Sequence, residues 1–303
     1  MELTNCTICP HDCRADRTKG PVGKCRTDST FNISAITLHT GEEPVISGPH
    51  GICNIFFTGC NLHCIYCQNH QISGVHASLY NKYQSEEEII DAIEFLMAQG
   101  AKSVGFVSPS HLLPQVIRII NAITARKLDL VKIYNTNAYE KTENLRELEG
   151  LIDVYLPDYK YSNPLLAEEY SGAKNYPEFA AKAIKEMYRQ KGSKLFISDE
   201  GYAESGMIIR HLVLPGSVEN SLNVLRYIAE EISTNVHISL MSQYYPVPGV
   251  KDHIKLGRYL KEEEYKIVVE EMDKLGFQNG FTQEFESNQV YKPDFNRIDP
   301  FVW

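Results

Sequence analysis

No cysteine occurs after residue 67 of this 303-residue chain, and only one tryptophan, Trp303, occurs anywhere. A disulfide framework belongs to small secreted domains and is spread through them. Eight thiols crowded into the first quarter of a large chain point to metal instead. Also missing is any uncharged apolar run of the ~18 residues that a spanning helix needs, so no membrane partner is expected. Basic tracts are absent too. With 30 Lys and Arg against 39 Asp and Glu, the net charge is −9, which speaks against a phosphate-backbone binder and so against nucleic acid. The opening run, MELTNCTICPHDCRADR, has no apolar segment of the kind a secretory signal carries, and a cytoplasmic location is expected.

What is present is material for a large core, 43% hydrophobic residues, arranged in a repeat. Short β-branched runs at 55–58, 103–107, 131–134, 152–156, 207–214 and 236–240 are each followed by a stretch of helical periodicity. The clearest helix covers 85–99. Ser85 and Glu88 make a capping box, Ile89, Ile90, Ile93, Leu96 and Met97 fall on one face, and Gly100 stands where a residue of positive φ ends the helix. Further helices are expected at 114–126, 142–148, 178–190, 219–232 and 262–275. Continuous apolar strands alternating with helices predict a parallel sheet covered by helices. Six units are too few for an eight-fold barrel. The expected fold is α/β, a partial (β/α)6 barrel with a Cys-rich amino-terminal extension; a doubly wound sheet is the structural alternative. The division is 1–48 for the extension, 49–280 for the barrel and 281–303 for a tail that is either a packed strap or a mobile arm.

The strands run into polar turns at 108–111, 135–137, 158–160 and 243–244. In a parallel barrel the carboxyl ends of the strands carry the site. The turn after the first strand, on the same edge, holds Cys60-Asn-Leu-His-Cys64-Ile-Tyr-Cys67, a C-x3-C-x2-C spacing. Iron–sulfur clusters normally take four cysteines. Three thiolates on one loop hold three irons of a cubane and leave the fourth open to a small molecule, as catalytic zinc sites keep an open position.

This loop resembles that of the radical S-adenosylmethionine (SAM) enzymes, including the aromatic Tyr66 before the last cysteine. GEEPVISG (41–48), IFFTGCNLHCIYCQN (55–69), VYLPDYKY (154–161) and IIRHLVLPG (208–216) resemble one group within them, the PflX-like iron–sulfur proteins similar to pyruvate formate-lyase activating enzyme. The resemblance implies a [4Fe-4S] cluster on Cys60, Cys64 and Cys67, with SAM chelating the open iron. Reductive cleavage of SAM then yields a 5′-deoxyadenosyl radical that abstracts hydrogen from substrate. In the activases a Gly-Gly-Glu stretch after the second strand helps to hold the SAM amino group. Here that place reads Phe106-Val107-Ser108-Pro109-Ser110-His111, and Ser108 and Ser110 offer hydroxyls but no carboxylate. Asn135 and Asn137 stand in the matching Asp-Thr-Asn-Gly run. Asp158 and Lys160 match the segment near the SAM ribose and carboxylate, and Arg210 matches the arginine before Val-Pro-Gly. Asp158 would bond ribose hydroxyls, while Lys160 or Arg210 would neutralise the SAM carboxylate.

A second group, Cys6-x2-Cys9-x3-Cys13-x11-Cys25, supplies four thiolates. Four ligands close a site, so this one is structural zinc or a fully ligated auxiliary cluster. Cys53 is left over and is expected to pack on the first strand. His111 is a candidate acid/base beside the cavity, and tyrosines 134, 139, 159, 161, 244 and 245 gather at the strand ends.

The leading expectation is an oxidoreductase that installs a glycyl radical on a partner enzyme, fed by an electron donor such as a flavodoxin or ferredoxin. The rival is radical modification of a different peptide or a small molecule. From another class comes a non-catalytic zinc or iron–sulfur scaffold, which requires no SAM cleavage.

Overall fold

A computed structural model describes residues 2–74, 81–285, 292–297 and 299–301. Nine strands lie in it: β1 (Ile33–His39), β2 (Ile52–Phe57), β3 (Ser103–Val107), β4 (Val131–Thr136), β5 (Val154–Pro157), β6 (Phe196–Ile197), β7 (Ala203–Leu212), β8 (His237–Met241) and β9 (Gly280–Thr282). They pair in the order β1-β2-β3-β4-β5-β7-β8-β9, with β6 on β7. From β2 to β9 that path is parallel throughout, while β1 meets β2 antiparallel. The path does not close, and the result is a partial barrel.

The sequence reason is burial on both faces. Every residue of β2, β3 and β5 is buried, as continuous apolar strands in a helix-covered sheet require. The helices that cover it include α3 (Glu86–Met97), α4 (Leu113–Ala125), α5 (Thr142–Glu147), α7 (Tyr176–Lys191), α8 (Val218–Glu231) and α9 (Glu262–Lys274). In α3, Ser85 Oγ accepts from the Glu88 N–H at 3.2 Å. The Glu88 carboxylate reaches back one residue further than expected, to the Gln84 N–H at 2.7 Å. Ile89, Ile90, Ile93 and Leu96 are buried as the periodicity required.

The six expected strand–helix units are β2, β3, β4, β5, β7 and β8 with their helices. Three strands were not expected. β1 is broken up by Ser34 and Thr37, β6 has two residues, and β9 has three. The boundary drawn at residue 48 consequently falls between two paired strands of one sheet. Among the shorter helices, α1 (Pro44–Ser47) and α2 (His70–Ser73) flank the first unit. α6 (Pro164–Ser171) carries clear end signals in place of periodicity. The Asn163 side chain caps it, Pro164 begins it, and Gly172 ends it in the left-handed region.

Inside the barrel, α1 contributes Ile46 to a buried cluster with Ile52, Ile133, Leu156 and Ile208 from four strands. The 41–48 segment therefore plugs the interior. The described part of the tail is packed as a strap. Phe295 and Phe301 each lie 5.3 Å from Phe56 between ring centroids, and Phe301 packs at a tilt against His39 at 4.2 Å. Trp303 lies outside the described residues. Among those described, no helix is long and apolar enough to cross a membrane.

Candidate active site

The cluster loop leaves β2 through Gly59 at φ +75°, where a Cβ would sit 2.3 Å from the Cys25 carbonyl oxygen. Only glycine lets the amino-terminal knuckle approach so closely. Cys60 is buried, and Cys64 and Cys67 are half-buried. Each thiol has polar neighbours. Cys60 Sγ accepts from the Leu62 N–H at 3.4 Å and from Asn137 Nδ2 at 3.5 Å. Ser171 Oγ donates to Cys64 Sγ at 3.0 Å, and Ser73 Oγ lies 3.1 Å from Cys67 Sγ. Tyr66 is buried, and its hydroxyl joins a chain to Tyr161 (2.6 Å) and on to Ser171 (2.7 Å).

An open cavity of about 200 Å³ adjoins this loop. Its wall includes Cys64, Cys67, Tyr66, Ser108, Asn135, Asp158, Lys160 and Arg210. Ser108 has a left-handed backbone, φ +53°, a conformation that costs energy in a non-glycine residue and concentrates at functional sites. Lys160 Nζ sits 2.6 Å from the Asp158 carboxylate, with both side chains mostly buried. Burial opposes the lysine charge, but Asp158 and then Cys64 hold its ammonium above the usual lysine range. Burial also raises the thiols. Cys64 goes up to about 11 despite the opposing Lys160 charge. A soft ion that binds thiolate therefore has to displace a proton at this loop.

Two of the expected contacts lie behind the wall. Ser110 is buried, 3.1 Å from Thr136 Oγ1, and Asn137 is spent on Asn61 and Cys60. Arg210 is on the wall but already engaged: Nε donates to Glu43 at 2.9 Å and Nη2 to Glu42 at 2.6 Å. Glu42 in turn accepts from Asn54 Nδ2 at 2.9 Å. Asn54 has room because its neighbour is Gly105, where a Cβ would fall 2.1 Å from Asn54 Oδ1. Burial raises the Glu42 carboxyl, but Arg210, His39 and Asn54 together hold the group below the usual range. Sequence reasoning missed this triad; its signal was the Glu42-Glu43 pair inside the quoted 41–48 segment. The expectation for His111 is corrected. It is fully buried beneath Thr58, whose carbonyl accepts from Nε2 at 3.1 Å. Burial and the nearby Arg17 charge push it down to about 3, so it is a neutral packing histidine away from the cavity. Cys53 is fully buried within β2, its thiol raised by burial to about 12.

In the amino-terminal group, Cys6, Cys9 and Cys25 are buried and Cys13 is exposed. The other three thiols lie near enough to Cys9 to add to its rise, which burial dominates and which reaches about 12. Among the described residues, no three His, Cys, Asp or Glu side chains converge tightly enough to hold one metal ion. Soft thiols in both groups, each of the loop thiols with a hydrogen-bonding neighbour, are the donor chemistry that iron–sulfur clusters or zinc select. By donor chemistry the residues fit such groups.

Residues 54–199 match the family described as the radical SAM superfamily. An uncharacterized protein of Methanocaldococcus jannaschii is 30% identical over 279 residues, which cover 89% of this chain and 75% of that one. The chain belongs to the radical SAM superfamily. Its fold is shared with SuiB of Streptococcus suis. With SuiB bound to S-adenosylmethionine the TM-score is 0.53 at 14% identity, covering 77% of this chain. With SuiB bound to the precursor peptide SuiA it is 0.50 at 14% identity, covering 75%. This chain spans 50% and 47% of those two SuiB chains. Methylornithine synthase (PylB) gives a TM-score of 0.53 at 14% identity, covering 82% of this chain and 77% of its own.

Proposed function

We propose that this radical SAM enzyme is activase-like and acts on a polypeptide, removing hydrogen from a glycine of a partner enzyme. The observation that carries the reading is a single cavity lined both by Cys64 and Cys67 and by the Asp158–Lys160 pair. When bound, a four-iron cluster with SAM supplies one-electron cleavage of the sulfonium and a radical that takes a hydrogen atom from substrate.

The chain's own residues supply orientation and exclusion of water. Cys60, Cys64 and Cys67 would hold the cluster. Lys160 would share its charge between Asp158 and the SAM carboxylate, and Asp158 would accept from ribose hydroxyls. Arg210, held by Glu42 and Glu43, is a fixed part of the wall, which leaves Lys160 as the counterion. Phe56, Val107, Leu212, Met241 and Phe301 give the cavity an apolar flank. Gln68, Asn69, Asn135 and Gln243 line it with amides, which both donate to and accept from a peptide backbone; this favours a polypeptide substrate. A flavodoxin or ferredoxin is the proposed electron donor. SuiB with its bound precursor peptide supports a second reading, modification of a peptide without a glycyl-radical partner.

The test is anaerobic reconstitution followed by electron paramagnetic resonance (EPR) of the reduced protein with and without SAM, together with SAM cleavage. A cubane signal perturbed by SAM and lost cleavage in Cys64→Ala are expected. A spectrum blind to SAM would overturn the reading in favour of a scaffold, and cleavage retained in Cys64→Ala would overturn the assignment of the cluster to this loop. A persistent glycyl signal on a partner supports the activase reading; a turned-over peptide supports the second.

A further inference from the structure

Besides the close approach of Cys25 to Gly59, the two cysteine groups are joined by a side-chain hydrogen bond. His11 stands between Cys9 and Cys13, and its Nε2 lies 2.7 Å from the backbone oxygen of Asn61, the residue directly after Cys60. A carbonyl only accepts, so Nε2 carries the proton. The ring also packs edge-on against Tyr139 at 5.2 Å. Asn61 is fully buried and held at every polar atom of its side chain: Nδ2 donates to the Tyr139 carbonyl at 2.8 Å, and Oδ1 accepts from Asn137 Nδ2 at 2.7 Å. Asn137 is fixed in turn, since its Oδ1 accepts from the Tyr139 N–H at 2.9 Å. With one N–H committed to Asn61, Asn137 Nδ2 turns its other N–H towards Cys60 Sγ at 3.5 Å. The path from the amino-terminal knuckle to a thiol of the cluster loop is thus four residues long, buried from Asn61 onward.

We propose that His11 and Asn137 are positioning residues through which the amino-terminal knuckle sets the reduction potential of the cluster on Cys60, Cys64 and Cys67. The proposal rests on the reading that this loop holds that cluster. Hydrogen bonds to ligand sulfur are a principal control on such potentials. A donor on Cys60 stabilises the extra negative charge of the reduced state, so it raises the potential. Asn137 supplies the donor. His11, by holding the Asn61 carbonyl, keeps Asn61 in the position that aims it. Metal in the knuckle, zinc or iron–sulfur alike, would act on the cluster by ordering the 9–13 turn that carries His11.

The experiment is an EPR-monitored redox titration of the reconstituted full-length protein, as wild type, His11→Ala, Asn137→Ala, the double variant and His11→Gln, with metal content and SAM-perturbed spectra measured on each. Both single variants should titrate at more negative potential. The double variant should move no further than Asn137→Ala alone, as a shared path requires. Gln, which keeps a side-chain N–H at similar reach, should restore most of the His11 effect. Clusters that form, respond to SAM and titrate at the wild-type potential in Asn137→Ala and His11→Ala would overturn the inference and leave the proposed function standing. So would additive shifts in the double variant. If His11→Ala fails to fold, His11→Phe, which fills the same space without an N–H donor, replaces it under the same criteria. A wild type that forms no SAM-responsive cluster would overturn both.

Discussion

At the scale of single residues, the site is organised by charges that cannot leave. Arg210 lies between Glu42 and Glu43, with all three side chains at 10% exposure or less. Removing one member of a buried ion network strands the others, at a cost of about 3–5 kcal/mol. Arg210→Met should therefore lower stability by about that amount in urea unfolding, far more than a surface arginine would. The pH dependence follows from Glu42, whose folded carboxyl is held below its ordinary value, burial opposing and Arg210, His39 and Asn54 together prevailing. Its stabilisation is complete above the unfolded carboxyl value of about 4.3 and is lost as pH falls through the depressed folded value. Urea midpoints measured from about pH 7 to pH 3 should fall on acidification, and Glu42→Gln should flatten that fall. An equally steep fall in the variant would assign the acid sensitivity to other carboxylates. The pairing itself could not be read along the chain beyond the adjacent Glu42 and Glu43, because Glu43 and Arg210 are 167 positions apart and only the barrel brings them together.

At the scale of elements, legibility follows how much of an element's signal is local. Helix α3 announced itself because its cap, its acidic first turn and its apolar face all lie within one short stretch. Its amino-terminal end is correspondingly sensitive. Ser85→Ala should cost about 1 kcal/mol, and Ser85→Asp should cost a small fraction of that, since aspartate caps as well as serine. Chemical denaturation of the two variants measures the difference, and equal losses would mean that the Ser85 hydroxyl contributes nothing as a cap. Strand β1 is the opposite case. Its Ile33-Ser34-Ala35-Ile36-Thr37 run has neither a clean alternation nor an unbroken apolar stretch, and it becomes a strand by pairing with β2. The tail likewise has no periodicity. Phe295 and Phe301 are held by a shared aromatic contact with Phe56, which depends on the place where the sheet ends.

At the scale of the whole molecule, the eight thiols fall into three environments, and they should react in an order that the fold dictates. Alkylation needs thiolate and access. Cys13 is exposed, whereas Cys53 is fully buried in β2 with its thiol raised to about 12. In the metal-free folded protein at neutral pH, Cys13 should be labelled first and Cys53 last. Cys64 and Cys67, half-buried at the cavity edge, should fall between them. Loading the protein with iron and sulfide, with or without zinc, should then protect Cys60, Cys64 and Cys67 as one set. Cys6, Cys9, Cys13 and Cys25 should be protected as another. Cys53 should stay slow in both states, because burial and not ligation shields it. Mass spectrometry of timed alkylation separates these outcomes residue by residue. Protection of Cys13 on loading is the decisive observation, since nothing in its folded surroundings shields it. If Cys13 stays reactive in the loaded protein, the amino-terminal site has at most three thiolate ligands and is not a closed four-cysteine site.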